Sequence, residues 1–229
     1  MITFDEQQRV FHLKNKEISY LFSVEEGNIL SHLYFGPAIR NYHGERRYPR
    51  VDRGFSGNLP GSMDRTYSKD DLLQEYSGNN TGDYRVPAII IKTENGSRLT
   101  DFRYKSYKIL PGKPKLAGLP ASYVKSDKEA ETLEVTLVDE TIGAQLILSY
   151  TIYNERPVIT RNARLVNTSN QELRIEKIAS VQLDLTKHDY DVISVPGQYA
   201  LERQPERQEL RRGITEFSSR RNSSSHHMN

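Results

Sequence analysis

The sequence predicts an all-β protein of the sandwich type, with long loops and at most short helices. Three observations carry that expectation. Runs rich in β-branched and aromatic residues recur along the chain, separated by clusters of Gly, Pro, Asn and Asp. From Thr132 these runs become regular, at 132–138, 145–152, 158–167 and 173–185, a rhythm typical of two packed sheets. The best helix candidate, Ser68 to Tyr76, is short.

In order, Ile2 to Phe4 and Val10 to Leu13 read as short strands around a polar DEQQ turn. Ile18 to Val24 (ISYLFSV) follows and stops at the turn Glu25-Glu26-Gly27-Asn28. Ile29 to Phe35 is the next strand, ended by Gly36-Pro37, with His32 expected half-buried on the sheet rather than acting as a ligand. Ser68 is placed to cap a short helix, with Asp70 and Asp71 in its first turn. Ser77 to Asp83 is loop by composition. Ala88 to Lys92 (AIIIK) reads as a strand buried on both faces, and Asn95-Gly96 is the strongest hairpin signal in the chain. Asp101 to Leu110 alternates at period two and ends at Pro111-Gly112. After the four regular strands comes a fifth, VISVP, following Asp191, and then a charged tail with Arg203, Arg207, Arg211 and Arg212.

The 229 residues suit one large all-β domain or two small ones. Net charge is +2, with both signs interleaved, so neither nucleic acid nor a membrane surface is an expected partner. Cysteine is absent, which excludes disulfides and thiolate metal sites. The N-terminus lacks a secretory pattern, and no run reaches membrane-spanning length. A cytoplasmic location is the expectation. No GxGxxG, P-loop or HExxH occurs, and His226-His227 cannot close a coordination shell alone. No cofactor and no metal are expected.

The stretch that calls for a function is Arg46 to Tyr76, too long and too irregular for an ordinary connection. Asp52, Arg53, Asp64 and Arg65 are its notable residues. A carboxylate accepts hydrogen bonds from adjacent hydroxyls and a guanidinium donates in a fixed fork, so these groups suit a polyol such as a sugar. They also suit solvated surface ion pairs, each worth little. A retaining glycosidase needs two carboxylates about 5–5.5 Å apart, and nothing in the spacing nominates such a pair.

The strings FHLKNKEISYLF, YPRVDRGFS, DRTYSKDDLLQEY, GDYRVPAIII, DFRYKSYKILPGKPKLAGLPASYV, AETLEVTLVD and SSRRNSSSHHMN together resemble the N-terminal region of family-36 glycoside hydrolases, the retaining α-galactosidases. The resemblance covers essentially the whole chain. It implies a β-supersandwich of two large antiparallel sheets over residues 1–229, followed in the family by a (β/α)8 barrel holding both catalytic Asp residues. On that expectation the barrel and the catalytic carboxylates lie outside this chain, and the absence of Trp agrees. The resemblance also implies that Asp52 binds sugar hydroxyls in the galactose pocket. Arg65 would stand near that pocket, supporting it or touching a neighbouring subunit. Asn222 and His227 depart from the family's usual Gly and Gln. An α-galactoside substrate of the melibiose or raffinose type and a homotetramer are further implications. The alternative is a stand-alone carbohydrate-binding or oligomerisation sandwich without chemistry.

Overall fold

The computed structural model describes every residue except 45–47, 49, 53, 55, 56, 60, 80, 81, 119, 120, 186–188 and 220–229. Two four-stranded antiparallel meanders dominate. One contains β1 (Ile2–Asp5), β2 (Val10–Lys14), β3 (Ile18–Glu25) and β4 (Ile29–Pro37) in that order. In the other, the order is β6 (Arg103–Pro111), β7 (Ala130–Asp139), β8 (Ala144–Tyr153) and β9 (Ile159–Asn167). β5 (Ile89–Thr93) pairs antiparallel with β10 (Leu173–Ile178). The chain divides into two compact units, Met1–Asp184 and Leu185–Asn229. Within the second, β11 (Asp191–Ser194) and β12 (Glu206–Glu209) form a small antiparallel pair, in which Arg207 donates to Asp191 at 2.6 Å.

The core of the first unit follows from the period-two patterns. On β7 and β8 the inward residues Leu133, Val135, Leu137, Leu146, Leu148, Tyr150 and Ile152 are buried. They meet Phe11, Leu13, Tyr20, Phe22 and Val24 of the other meander. Aromatic rings join the layers: Phe22 stacks on Tyr150 of the other sheet at 5.0 Å, and on its cross-strand partner Phe11 at 4.8 Å. Burial of each such side chain contributes about 1.5–3 kcal/mol. β3 is buried along almost its whole length, because the long segment after β4 covers the face turned away from the second sheet.

The all-β expectation holds, and four local expectations are corrected. The Ser68–Tyr76 helix is a single 3-10 turn, Lys69–Asp71, with the Ser68 hydroxyl accepting from the Asp70 amide at 3.3 Å as the cap. It stops there because residues 73–75 pair with β4 instead: His32 donates its amide to Leu73 at 2.7 Å and Glu75 donates to Leu30 at 3.2 Å. Asn95-Gly96 does form a tight turn, with Gly96 at φ +86° and its amide bonded to the Thr93 carbonyl at 2.9 Å. It closes no hairpin, however, since the partner of β5 is the distant β10. β5 alternates between buried and half-buried residues rather than being buried on both faces. The 173–185 strand ends at Ile178, because the next residues serve as acceptors for other segments: Ala179 for Tyr76 Oη at 2.6 Å, Gln182 for the Ser77 amide at 2.6 Å and Asp184 for the Gln74 amide at 2.7 Å.

Candidate functional site

The segment after β4 is irregular but pinned at several points. Leu59, Tyr67 and Leu72 are buried against Ile29, with Tyr48 packed on this group, which makes a second small core beneath the loop. Tyr48 Oη donates to Glu25 Oε2 at 2.7 Å, and Tyr67 Oη donates to the Glu26 carbonyl at 3.2 Å. These contacts fasten the loop to the β3–β4 turn. Gly27, at φ +70°, lets that turn come close: a Cβ there would lie 2.9 Å from the Arg103 guanidinium and 3.0 Å from Leu59.

At its far end the loop is tied to both sheets through Glu75, whose side chain is 0% exposed. Tyr20 and Tyr150 donate to Glu75 Oε1 at 2.6 and 3.0 Å, and His32 Nδ1 lies 3.3 Å from Oε2. Arg161, 8% exposed, reaches Oε1 at 2.8 Å and sits over the Tyr150 ring at 4.5 Å. Burial alone would raise the Glu75 pKa, but the Arg161 charge and the bonds from His32 and Tyr20 outweigh it and hold the carboxyl below its ordinary value. Burial pushes the Tyr20 and Tyr150 hydroxyls upward. His32, expected half-buried, is therefore a buried member of this network.

Near the middle of the loop two ion pairs cross. Arg50 donates through Nη1 to Asp64 Oδ2 at 3.2 Å, while Arg65 Nε stands 3.2 Å from Asp52 Oδ1. Arg50 also donates through Nη2 to Glu26 Oε2 at 3.0 Å, and its guanidinium lies over the Tyr67 ring at 4.6 Å. Asp64 caps its own turn, accepting from the Thr66 amide at 2.8 Å and hydroxyl at 2.7 Å. Those two bonds lead in lowering the Asp64 pKa. The bond to Glu26 leads in raising that of Arg50.

The two sequence candidates, Asp52 and Arg65, are thus brought together, with side chains 58% and 55% exposed. At that exposure the pair contributes little stability. What it leaves is a solvent-facing carboxylate beside a guanidinium, which is a surface able to exchange hydrogen bonds with hydroxyl groups. Asp64 pairs with Arg50 rather than belonging to the same cluster as Asp52. Arg53, Asn222, His226 and His227 lie outside the described residues. Sequence reading missed Arg50, Glu26 and Tyr67. The available signal was the order Arg50, Asp52, Asp64, Arg65, which places opposite charges together when 50 pairs with 64 and 52 with 65. Among the described residues no group of three or more His, Asp or Glu could hold a metal ion, and no helix is long and apolar enough to cross a membrane.

Two packed antiparallel meanders with a long, doubly anchored loop define a β-sandwich domain that presents one polar segment. The family described as glycosyl hydrolase family 36 N-terminal domain matches residues 28–229. Alpha-galactosidase 1 of Pediococcus pentosaceus is 50% identical over 229 residues, covering 100% of this chain and 31% of the relative. The crystal structure of the family-36 alpha-galactosidase AgaB from Geobacillus stearothermophilus superposes with a TM-score of 0.93 at 42% identity, covering 100% of this chain and 31% of that one. A variant of AgaA from the same organism, solved in complex with raffinose, superposes at 0.90 with 44% identity over 96% of this chain and 30% of that one. The chain belongs to glycosyl hydrolase family 36, to which it corresponds as the N-terminal domain. It spans under a third of the length of these relatives.

Proposed function

We propose that this chain acts as the N-terminal domain of a retaining α-galactosidase that hydrolyses terminal α-galactosides of the raffinose type, and that Asp52 contributes to the sugar pocket. In such an enzyme one carboxylate attacks the anomeric carbon and another carboxyl group protonates the leaving oxygen. Both steps belong to residues outside positions 1–229. The share of this chain is recognition and assembly, with contacts to other subunits of a homotetramer.

The observation that carries the recognition role is the exposed Asp52 carboxylate, paired with Arg65 within an anchored loop. Raffinose and stachyose complexes of variants of the similar AgaA support the substrate class. A carboxylate accepting from sugar hydroxyls discriminates by geometry, because a site built around a hydroxyl penalises its absence or misplacement.

The test uses residues 1–229 fused to the remainder of the Pediococcus pentosaceus enzyme in place of its own N-terminal stretch. Asp52→Ala in that fusion is expected to lower kcat/KM on raffinose about 10- to 100-fold, the loss of a hydrogen bond to a charged acceptor, with KM raised. Unchanged kinetics would remove Asp52 from the pocket.

A further inference from the structure

The crossed ion pairs have a direction. Asp52 and Arg65 are both more than half exposed, and nothing in that pair alone fixes where the carboxylate points. Arg50, two residues before Asp52 and 45% exposed, has more partners. Its guanidinium bridges two carboxylates, Glu26 at 3.0 Å and Asp64 at 3.2 Å, and lies over the buried Tyr67 ring at 4.6 Å. A fork shared between two acceptors and stacked on an aromatic face is the arrangement in which arginine loses least freedom per bond formed. Two segments of the loop are reached: Arg50 clamps its own segment to the β3–β4 turn through Glu26, and clamps the neighbouring segment through Asp64. Asp64 is itself held in a turn by Thr66, and the next residue is Arg65, the partner of Asp52. One side chain therefore ties the segment that carries residue 52 to the segment that carries residue 65.

We propose that Arg50 is a positioning residue for Asp52, fixing the Asp52 carboxylate and its Arg65 partner in the register in which they meet the sugar. This rests on the role given to Asp52 above. Arg50 itself touches no substrate. It acts by tying the segment that carries residue 52 to the segment that carries residue 65, alongside the packing of Tyr48, Leu59 and Tyr67 beneath the loop. Lysine in its place keeps a charge but cannot bridge both carboxylates or stack in the same way.

The test is a double-mutant cycle between positions 50 and 52 in the fusion enzyme, with raffinose as substrate. Arg50→Ala is expected to lower kcat/KM about 3- to 10-fold, carried by KM, as displacement of a binding group does. Arg50→Lys is expected to fall between the wild type and Arg50→Ala. In an Asp52→Ala background, Arg50→Ala is expected to add nothing, since residues acting through one contact are not additive. Thermal unfolding of each variant is followed alongside, and a purely structural role would instead lower the midpoint and reduce activity equally in both backgrounds. Additive losses overturn the proposal. So does Arg50→Ala with an unchanged KM while Asp52→Ala raises it, an outcome that leaves the Asp52 reading standing. If Asp52→Ala is itself silent, the Asp52 reading fails and the role of Arg50 fails with it.

Discussion

Glu75 and Arg161 are the residues on which the anchoring of the loop depends most. Both are buried and charged, and each is bonded to neighbours on two sheets. A buried pair of this kind is weak evidence for extra stability, but removing one partner strands the other charge. Arg161→Met should therefore destabilise the chain by about 3–5 kcal/mol at pH 7, read by denaturant unfolding. The pH dependence has a definite sign. The Glu75 pKa is held below its ordinary value in the folded state, so its contribution is fully present above the unfolded value of about 4.3 and is lost as pH falls through the folded value. In Arg161→Met the largest effect opposing burial is gone, leaving the bonds from His32 and Tyr20, and Glu75 accepts its proton at higher pH. The gap between variant and wild type should then narrow as the medium is acidified. A gap that stays constant down to pH 4 would mean that the carboxylate is not the group stranded. None of this network was legible in the sequence. His32, Glu75 and Arg161 lie on β4, in the loop and on β9, and no spacing rule joins residues 43 and 86 positions apart.

At the scale of elements, the long loop behaves as a folded piece rather than a tether, because it has its own small core. Leu72, almost fully buried, packs with Ile29, Leu59 and Tyr67. Leu72→Ala should cost about 2–5 kcal/mol, since it removes three carbons and leaves a cavity. Proteolytic nicking within 46–76 should rise in parallel. A stability loss without faster nicking would show that the loop is held by the ion pairs alone. Strand existence and order were readable from period-two patterning, and nearly every strand lies within a few residues of its predicted span. What patterning could not give was pairing over long distances. Residues 73–75 have helix-compatible composition but are drawn into pairing with β4, and the Asn95-Gly96 turn leads into no return strand because β10 supplies the partner of β5. In both places a tertiary contact decides what local propensity leaves open. Of the candidate site, Asp52 and Arg65 were legible as residue types in a suspicious loop. The crossed pairing that organises them was not, because it depends on the loop folding back against the β3–β4 turn.

For the whole molecule, the decisive relation is between the chain and its longer relatives. It matches about the first third of enzymes that carry the name α-galactosidase, with a superposition of 0.93 over its full length to AgaB. A sandwich that similar should serve in the place of the relative's own domain. The measurement that tests this most directly is raffinose hydrolysis by three proteins: the intact Pediococcus pentosaceus enzyme, the same enzyme without its N-terminal stretch, and the fusion carrying residues 1–229 in that place. Activity that falls on truncation and returns in the fusion is the expected result, with the fusion within about tenfold of the intact enzyme. A folded fusion no more active than the truncated protein would contradict the domain role and make the binding-only sandwich the better reading.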